Sequence, residues 1–286
     1  MVRSSLIVTH LPDNREWCDI LGSYGSIPIP VSDACRALTD EIEGNPDRFM
    51  RLKYEALLIR CRERVAKLIG ADADECVLVP NTTHGVNTVL RNLDWKKGDV
   101  IINSTVFTFF FSGKVWLNLK CSLANIAYNA IERAARFIAD INPHVTVETI
   151  DIGPSYTLDA IFRAFEAAFQ KVQSSPEYIA LTEQGKRPKI VTIVDALSAS
   201  PGLLMPWERV VEFSKRHENM WTLVDAAHAI GQIVGIDLNK TQPDFFISVR
   251  SIPFAMRLTE TEPLWFDRTA TNGCMRSEDV QFFMSH

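Results

Sequence analysis

Two runs, "KIVTIVD" ending at Asp195 and "WTLVD" ending at Asp225, are apolar at nearly every position and then stop on a carboxylate. A strand with one wet face alternates apolar and polar residues. A short run without alternation suits a strand covered on both faces, as in a parallel sheet between two helical layers. The neighbouring segments supply those layers. "RLKYEALLIRCRERVAKLIGA" sets Leu57, Leu58, Cys61, Val65, Leu68 and Ile69 on one stripe and stops at Gly70, a residue suited to the position just past a helix. "TLDAIFRAFEAAFQKV" stacks Ile161, Phe162, Phe165 and Phe169 at helical spacing, which predicts core. Between them, "ECVLVPNTTHGVNTVLRNL" reads as a short strand, a polar turn at Asn81-Thr82-Thr83 and a helix carrying Val86, Val89 and Leu90. "HVTVETIDI" alternates as a strand, "PWERVVEFSKRH" is a helix with Pro206 suited to its first turn, and "SSPEYIALTEQGKRP" reads as a polar loop. The alternation predicts an α/β protein with a mostly parallel sheet and helices on both faces.

Composition narrows the partners. With 286 residues and 47% hydrophobic content, the chain can bury one large core or two modest ones. A net charge of −5 and the lack of long basic runs give no electrostatic footprint for nucleic acid or an anionic membrane. Arg60, Arg62 and Arg64 read as a solvated helix face. The six cysteines include no CxxC pair and no histidine at ligand spacing, so reduced thiols and no metal site are expected. No segment reaches the roughly 18 continuous apolar residues of a membrane span, and Leu6 to Val8 is too short for a signal-peptide core, so a cytoplasmic protein is expected. Neither GxGxxG nor GxxxxGK[ST] occurs, which ranks a nucleotide-binding module last.

In open parallel sheets, ligands bind at the carboxyl ends of strands. Three polar exits lie there: Asn81-Thr82-Thr83, Asp195 to Ser198, and Asp225 with His228. A threonine pair opening a helix offers hydroxyls and free N–H groups to a phosphate, although the plainer role is a helix cap. An aspartate at the end of a buried strand suits a cationic ring, although it also serves as an ordinary turn residue.

The ordered set carries a resemblance. "VDAAHAIGQ", with "DFF" about ten residues beyond, preceded by "VPNTTHGVNTVLRNL" and "GSYGSIPIPV", resembles the class V aminotransferase family of pyridoxal-phosphate enzymes. The similarity is strongest to its isopenicillin N epimerase-like branch, beside cysteine desulfurases and hercynylcysteine sulfoxide lyases. The resemblance spans most of Gly22 to Ser248. It implies the large domain of the fold type I transferases, incomplete here and without the C-terminal small domain. It also implies pyridoxal 5'-phosphate as cofactor, a homodimer, and a small amino acid or sulfur-containing derivative as substrate for lyase, epimerase or transferase chemistry. Matched residue by residue, it makes Asp225 the partner of the pyridinium nitrogen and His228 the partner of the ring's phenolic oxygen. Thr82 and Thr83 match the phosphate turn, and Tyr128 matches the aromatic stacked on the ring. Asp195 and Ser198 would lie at a strand end near the ring, and Gly22, Ser23 and Tyr24 in the segment that approaches substrate.

One family residue is missing. Shortly after "DFFIS", inside a motif of the form Ser-Asn-Cys-His-Lys-Trp, the family carries a lysine that forms a Schiff base and moves the substrate's α-proton. Here the chain reads Val249-Arg250-Ser251-Ile252-Pro253, and the nearest lysine, Lys240, precedes the strand. Two readings follow: a form that is inactive as written and holds the cofactor non-covalently at best, or a non-catalytic cofactor-binding or dimer-partner protein. A shifted reading frame would account for the gap. Read from the last base of Arg268, the tail can encode Asn-Cys-His-Lys-Trp, the missing motif, with the lysine codon straddling Thr271 and Asn272. Val249-Arg250 can encode a splice donor and Asp267-Arg268 an acceptor. Nineteen codons from Val249 to Asp267 and two bases of Arg268 make a 59-base interval of short-intron size. A second anomaly, "TVFTFFFSGKVWLNLKCSLANI", intervenes where the family passes almost directly from strand to aromatic position; a retained intron is favoured over an apolar hairpin, and "VFTFFF" is an aggregation liability either way. The expected organisation is an N-terminal arm over 1–25, a partial cofactor-binding domain over 26–248 with an insertion at about 105–126, and a non-family tail over 249–286 without sustained periodicity.

Overall fold

The computed structural model describes residues 29–106, 129–152, 157–199, 202–248 and 282–284. Helices α1 (Ile29–Gly44), α2 (Pro46–Leu52) and α3 (Tyr54–Ile69) lead into β1 (Cys76–Val77) and α4 (Thr82–Asn92). Then come β2 (Val100–Val106), α5 (Asn129–Ile141), β3 (Thr146–Ile152), α6 (Leu158–Gln173), α7 (Pro176–Glu183) and β4 (Ile190–Asp195). The last elements are α8 (Trp207–Ser214), β5 (Met220–Asp225), the single turn α9 (Leu238–Thr241), β6 (Phe245–Ile247) and β7 (Phe282–Met284). Among the described residues all the strands join one seven-stranded sheet in the order β1-β7-β6-β5-β4-β2-β3. From β3 to β6 every pairing is parallel, and β7 runs antiparallel between β6 and β1.

The unalternating strands are where the sheet is covered twice: all six residues of β4 are buried. Even-numbered β4 residues Ile190 and Val194 pack with Met220, Val224, α3, α6 and α8. Odd-numbered Val191 and Ile193 pack with Ile101, Leu223, Ile247, α4 and α5. The helical stripes on α3 and α6 fall where the sequence puts them. Ile161, Phe165 and Phe169 are buried, and Gly70 ends α3 at φ 63°, a left-handed conformation that favours glycine.

Five details depart from the sequence reading. "SSPEYIALTEQGKRP" is not all loop: Ser175 Oγ accepts the Tyr178 N–H at 3.3 Å, Pro176 takes the first helical position, and α7 forms with Leu181 buried. Its single buried side chain gives no apolar stripe, so its caps were its only signal. Pro206 stands at the N-cap of α8, one place before the first turn. Among the three arginines, Arg60 is exposed but Arg62 is half-buried, and its Nε–H donates to the Ala73 carbonyl at 2.9 Å. The tail contributes β7, because Phe282-Phe283-Met284 is apolar throughout and enters a place flanked by β1 and β6. Strand β2 also runs through Thr105 and Val106, pairing them with Asp151 and Ile152, so the ladder continues two residues into the segment read as an insertion. The rest of that segment, the N-terminal arm and most of the tail lie outside the described residues.

Glycine at one position fixes α4. A Cβ on Gly85 would lie 2.7 Å from Ile247 Cγ2 on β6, so a larger residue would push the helix off the sheet. Ile247 is the register partner of Asp225 on β5. The same close approach therefore brings the first turn of α4 toward the carboxyl ends of β5 and β6.

Candidate functional site

Asp195 and Asp225 end adjacent parallel strands and are direct register partners. Each continues the odd-numbered parity of its strand, so both side chains lie on the α4/α5 face. Their exposures are 8% and 5%. Burial holds the Asp195 carboxyl well above the ordinary carboxylate range, and the neighbouring Asp225 charge pushes it the same way. Burial raises Asp225 as well, opposed by the Ala227 N–H, which donates to Asp225 Oδ1 at 3.0 Å, and by the His228 imidazole. His228 is half-buried in the turn that follows β5. Two carboxylates brought out of water side by side are unfavourable as a bare pair. They become favourable opposite a cation.

The turn at the start of α4 supplies the second half. Asn81 is the N-cap, with extended backbone, and its side chain accepts the His84 N–H at 2.8 Å. The capping role that a threonine would ordinarily take therefore falls to Asn81. Thr82 and Thr83 sit inside the first turn, where N–H groups have no partner in the helical ladder and the helix dipole favours negative charge. Thr82 is 6% exposed, and its Oγ1 has no hydrogen-bond partner. A buried hydroxyl without a partner carries an unfavourable desolvation of about 1–3 kcal/mol. A dianion at the helix N-terminus would relieve it.

The remaining predicted residues divide. Ser198 is buried at the exit of β4, but its Oγ accepts the Leu203 N–H at 2.9 Å and the two residues also pair through their backbones, so it closes the loop before α8. Its hydroxyl proton is still available to a neighbour. Thr83 is half-buried beside Thr82. Gly22, Ser23, Tyr24 and Tyr128 fall outside the described residues. The structure adds one residue that the sequence reading passed over. Asn103 on β2 is 1% exposed, shares the α4/α5 face with Ile101, and its Nδ2 has no partner. Its signal in the sequence is a lone amide interrupting the apolar run "VIIN".

Buried carboxyls at one place suit a cationic group, and the first turn of α4 suits an anion. Among the described residues no cluster of metal-ligating side chains occurs, and no helix is long and apolar enough to cross a membrane.

The chain is similar to several known proteins. The family model for aminotransferase class-V matches residues 25–106. The hercynylcysteine sulfoxide lyase of Schizosaccharomyces pombe is 30% identical over 228 residues, 79% of this chain and 48% of the relative. The L-cysteine desulfhydrase-like protein lolT1 of Epichloe uncinata is 29% identical over 226 residues, 79% of this chain and 42% of its own length. Among solved structures, the cystine C–S lyase C-DES, in complex with its product cysteine persulfide, superposes with a TM-score of 0.61 at 18% identity. It covers 93% of this chain and 56% of its own. A NifS-like protein superposes with a TM-score of 0.56 at 17% identity, covering 80% of this chain and 53% of its own. These likenesses show the fold, a mostly parallel sheet between helical layers. The chain spans about half the length of the curated relatives it matches.

Proposed function

Because the chain belongs to the class V aminotransferase family, we propose that residues 26–248 are the platform on which pyridoxal 5'-phosphate is held. The observation that carries the reading is the buried, unpartnered Thr82 hydroxyl at the α4 N-terminus, on the face of the sheet where Asp195 and Asp225 are buried. When bound, the cofactor supplies an electron-withdrawing ring that stabilises negative charge beside a substrate's α-carbon.

The chain's own residues act on that ring and its arm. Asp225 would face the ring nitrogen and, as a carboxylate in a poorly solvated layer, would keep the proton there. His228 donates to the phenolic oxygen. Thr82 and Thr83 hold the phosphate by their hydroxyls and N–H groups, with the helix dipole behind them. The family resemblance assigns Tyr128 to the ring face and Gly22, Ser23 and Tyr24 to the substrate side, and Asp195 and Ser198, at the exit of β4, would border the ring. No residue performs the covalent step. The run Val249-Arg250-Ser251-Ile252-Pro253 stands where the family carries its lysine motif, so the cofactor is held without a bond to the protein and the chain as written turns nothing over. The form that carries the lysine, obtained by removing the 59-base interval from Val249 to Arg268, acts on a sulfur-bearing amino acid. We also assign it a homodimer and the cytoplasm.

Titration with pyridoxal phosphate followed by borohydride reduction tests the reading. Saturable binding with no covalent adduct is expected. An adduct mapped to one lysine of the folded chain, or no saturable binding, overturns it. Sequencing the spliced message across codons 249 to 268 tests the frame: an early stop, or no lysine codon across Thr271 and Asn272, refutes the retained interval.

A further inference from the structure

Asp195 and Asp225 face each other across one rung of the β4–β5 ladder. Neighbouring strands are about 4.8 Å apart, so two ionised carboxylates on one face there would repel strongly in a layer nearly free of water. The two are not equivalent. Asp225 has the Ala227 N–H on Oδ1 at 3.0 Å and the His228 imidazole near it, both of which favour its charged form. Among the described residues no N–H donates to Asp195, and the charge acting on it is that of Asp225.

We propose that the two aspartates share one proton, carried by Asp195, whose neutral O–H donates to the Asp225 carboxylate and fixes its orientation. Asp195 is thus a positioning residue. With Ala227 on Oδ1 and Asp195 opposite, the Asp225 carboxylate is held from two sides, and a single negative charge is presented. The inference rests on the two strands alone, so it stands or falls separately from the cofactor reading.

The groups around the pair leave it isolated. The turn after β5 brings His228. The first turn of α4 brings His84, which is exposed. On α5, Glu132 is paired with Arg136 at 2.7 Å. On β2 the buried neighbour is the uncharged Asn103. Glu208, Arg209 and Asp159 belong to α8 and α6, on the opposite face.

Urea unfolding of the cofactor-free, full-length chain between pH 5 and pH 8 tests the proton. Between the ordinary aspartate value near 4 and the pair's own upper titration, the folded state binds one proton more than the unfolded state. The folded-to-unfolded ratio should therefore fall by up to about tenfold per pH unit as pH rises. Asp195→Asn, which keeps a donor and cannot ionise, should remove most of that slope, leaving only what the burial of Asp225 contributes, and unfold at a higher urea concentration than wild type at pH 8. Asp225→Asn should keep part of the slope, because Asp195 is still buried. Asp244, raised by its own burial at the other end of the sheet, contributes equally to all three chains and cancels in the comparison. An unchanged slope in Asp195→Asn overturns the proposal, as does the reverse pattern, in which Asp225→Asn alone removes it. If Asp195→Asn does not fold, aspartate-labelled wild type and Asp244→Asn carry the test by carboxyl-carbon NMR at pH 7. One protonated aspartate in both supports the proposal; none in either overturns it.

Discussion

The two ends of the sheet use the same residue types in opposite ways. At the amino end, Asp99 is buried and satisfied: it accepts the Lys96 N–H at 2.8 Å and the Lys189 N–H at 2.6 Å. Lys189 lies 3.8 Å from that carboxylate, donates to the Asp94 carbonyl at 2.8 Å, and sits between Trp95 and Trp221, 5.4 and 5.3 Å from their ring centroids. Asp244 accepts the Thr222 N–H at 2.7 Å. At the carboxyl end, two aspartates are buried against each other and the Thr82 hydroxyl has no partner. A carboxylate with its donors in place stabilises a fold. A carboxylate pair without a cation, beside an unspent hydroxyl, destabilises it and is kept for what it binds.

That contrast breaks if substitutions at the two ends behave alike. The largest expected effect is at the amino end: Asp99→Ala removes two buried charge-assisted bonds and should lower unfolding free energy by about 3 kcal/mol, read by denaturant titration. A loss below about 1 kcal/mol would mean that the amino end is not held by this carboxylate. At the other end, Asp225→Ala should leave stability nearly unchanged or improve it while weakening pyridoxal phosphate binding on the order of a hundredfold. His228→Ala should weaken it by a smaller factor, since only the carboxylate holds the ring nitrogen's proton. Equal losses would remove that assignment. Thr82→Val, which replaces the unpartnered hydroxyl by a methyl, should stabilise the cofactor-free chain by about 1 kcal/mol and loosen the phosphate; a destabilised variant would show that the hydroxyl is satisfied in solution. The smallest effect belongs to Lys189→Met, about 0.5–1 kcal/mol from its ring contacts, read from the urea midpoint.

How much of this could be read in advance depends on the range of the signal. Asp225, His228 and the α4 threonines were readable because each is local: a polar stop on an apolar run, or a polar turn before a helix. Their meeting was not local. It needed the register that sets Asp195 against Asp225 and the close approach at Gly85, which a list of residues does not carry. The sequence leaves the cap of α4 open between neighbours, since asparagine and threonine serve equally well there and only the backbone distinguishes Asn81 from Thr82. Helix α7 has no apolar stripe to show in the sequence, and its one local signal is its Ser-Pro-Glu start. Asn103 was missed because a single amide inside a strand looks like a tolerated exception until its partner is sought.

The seat of β7 bears on how such a chain reaches its final form. Cys76 and Phe283 pair although more than 200 residues separate them, so β1 joins the sheet only after every intervening strand has been synthesised. Until then β6 is a bare edge bearing Phe245, Phe246 and Ile247, with no neighbour on that side. Long-range closure of this kind slows folding, and an open apolar edge recruits strands from other molecules. In refolding experiments the yield should therefore depend on protein concentration, with losses arising at the β6 edge rather than in the parallel core.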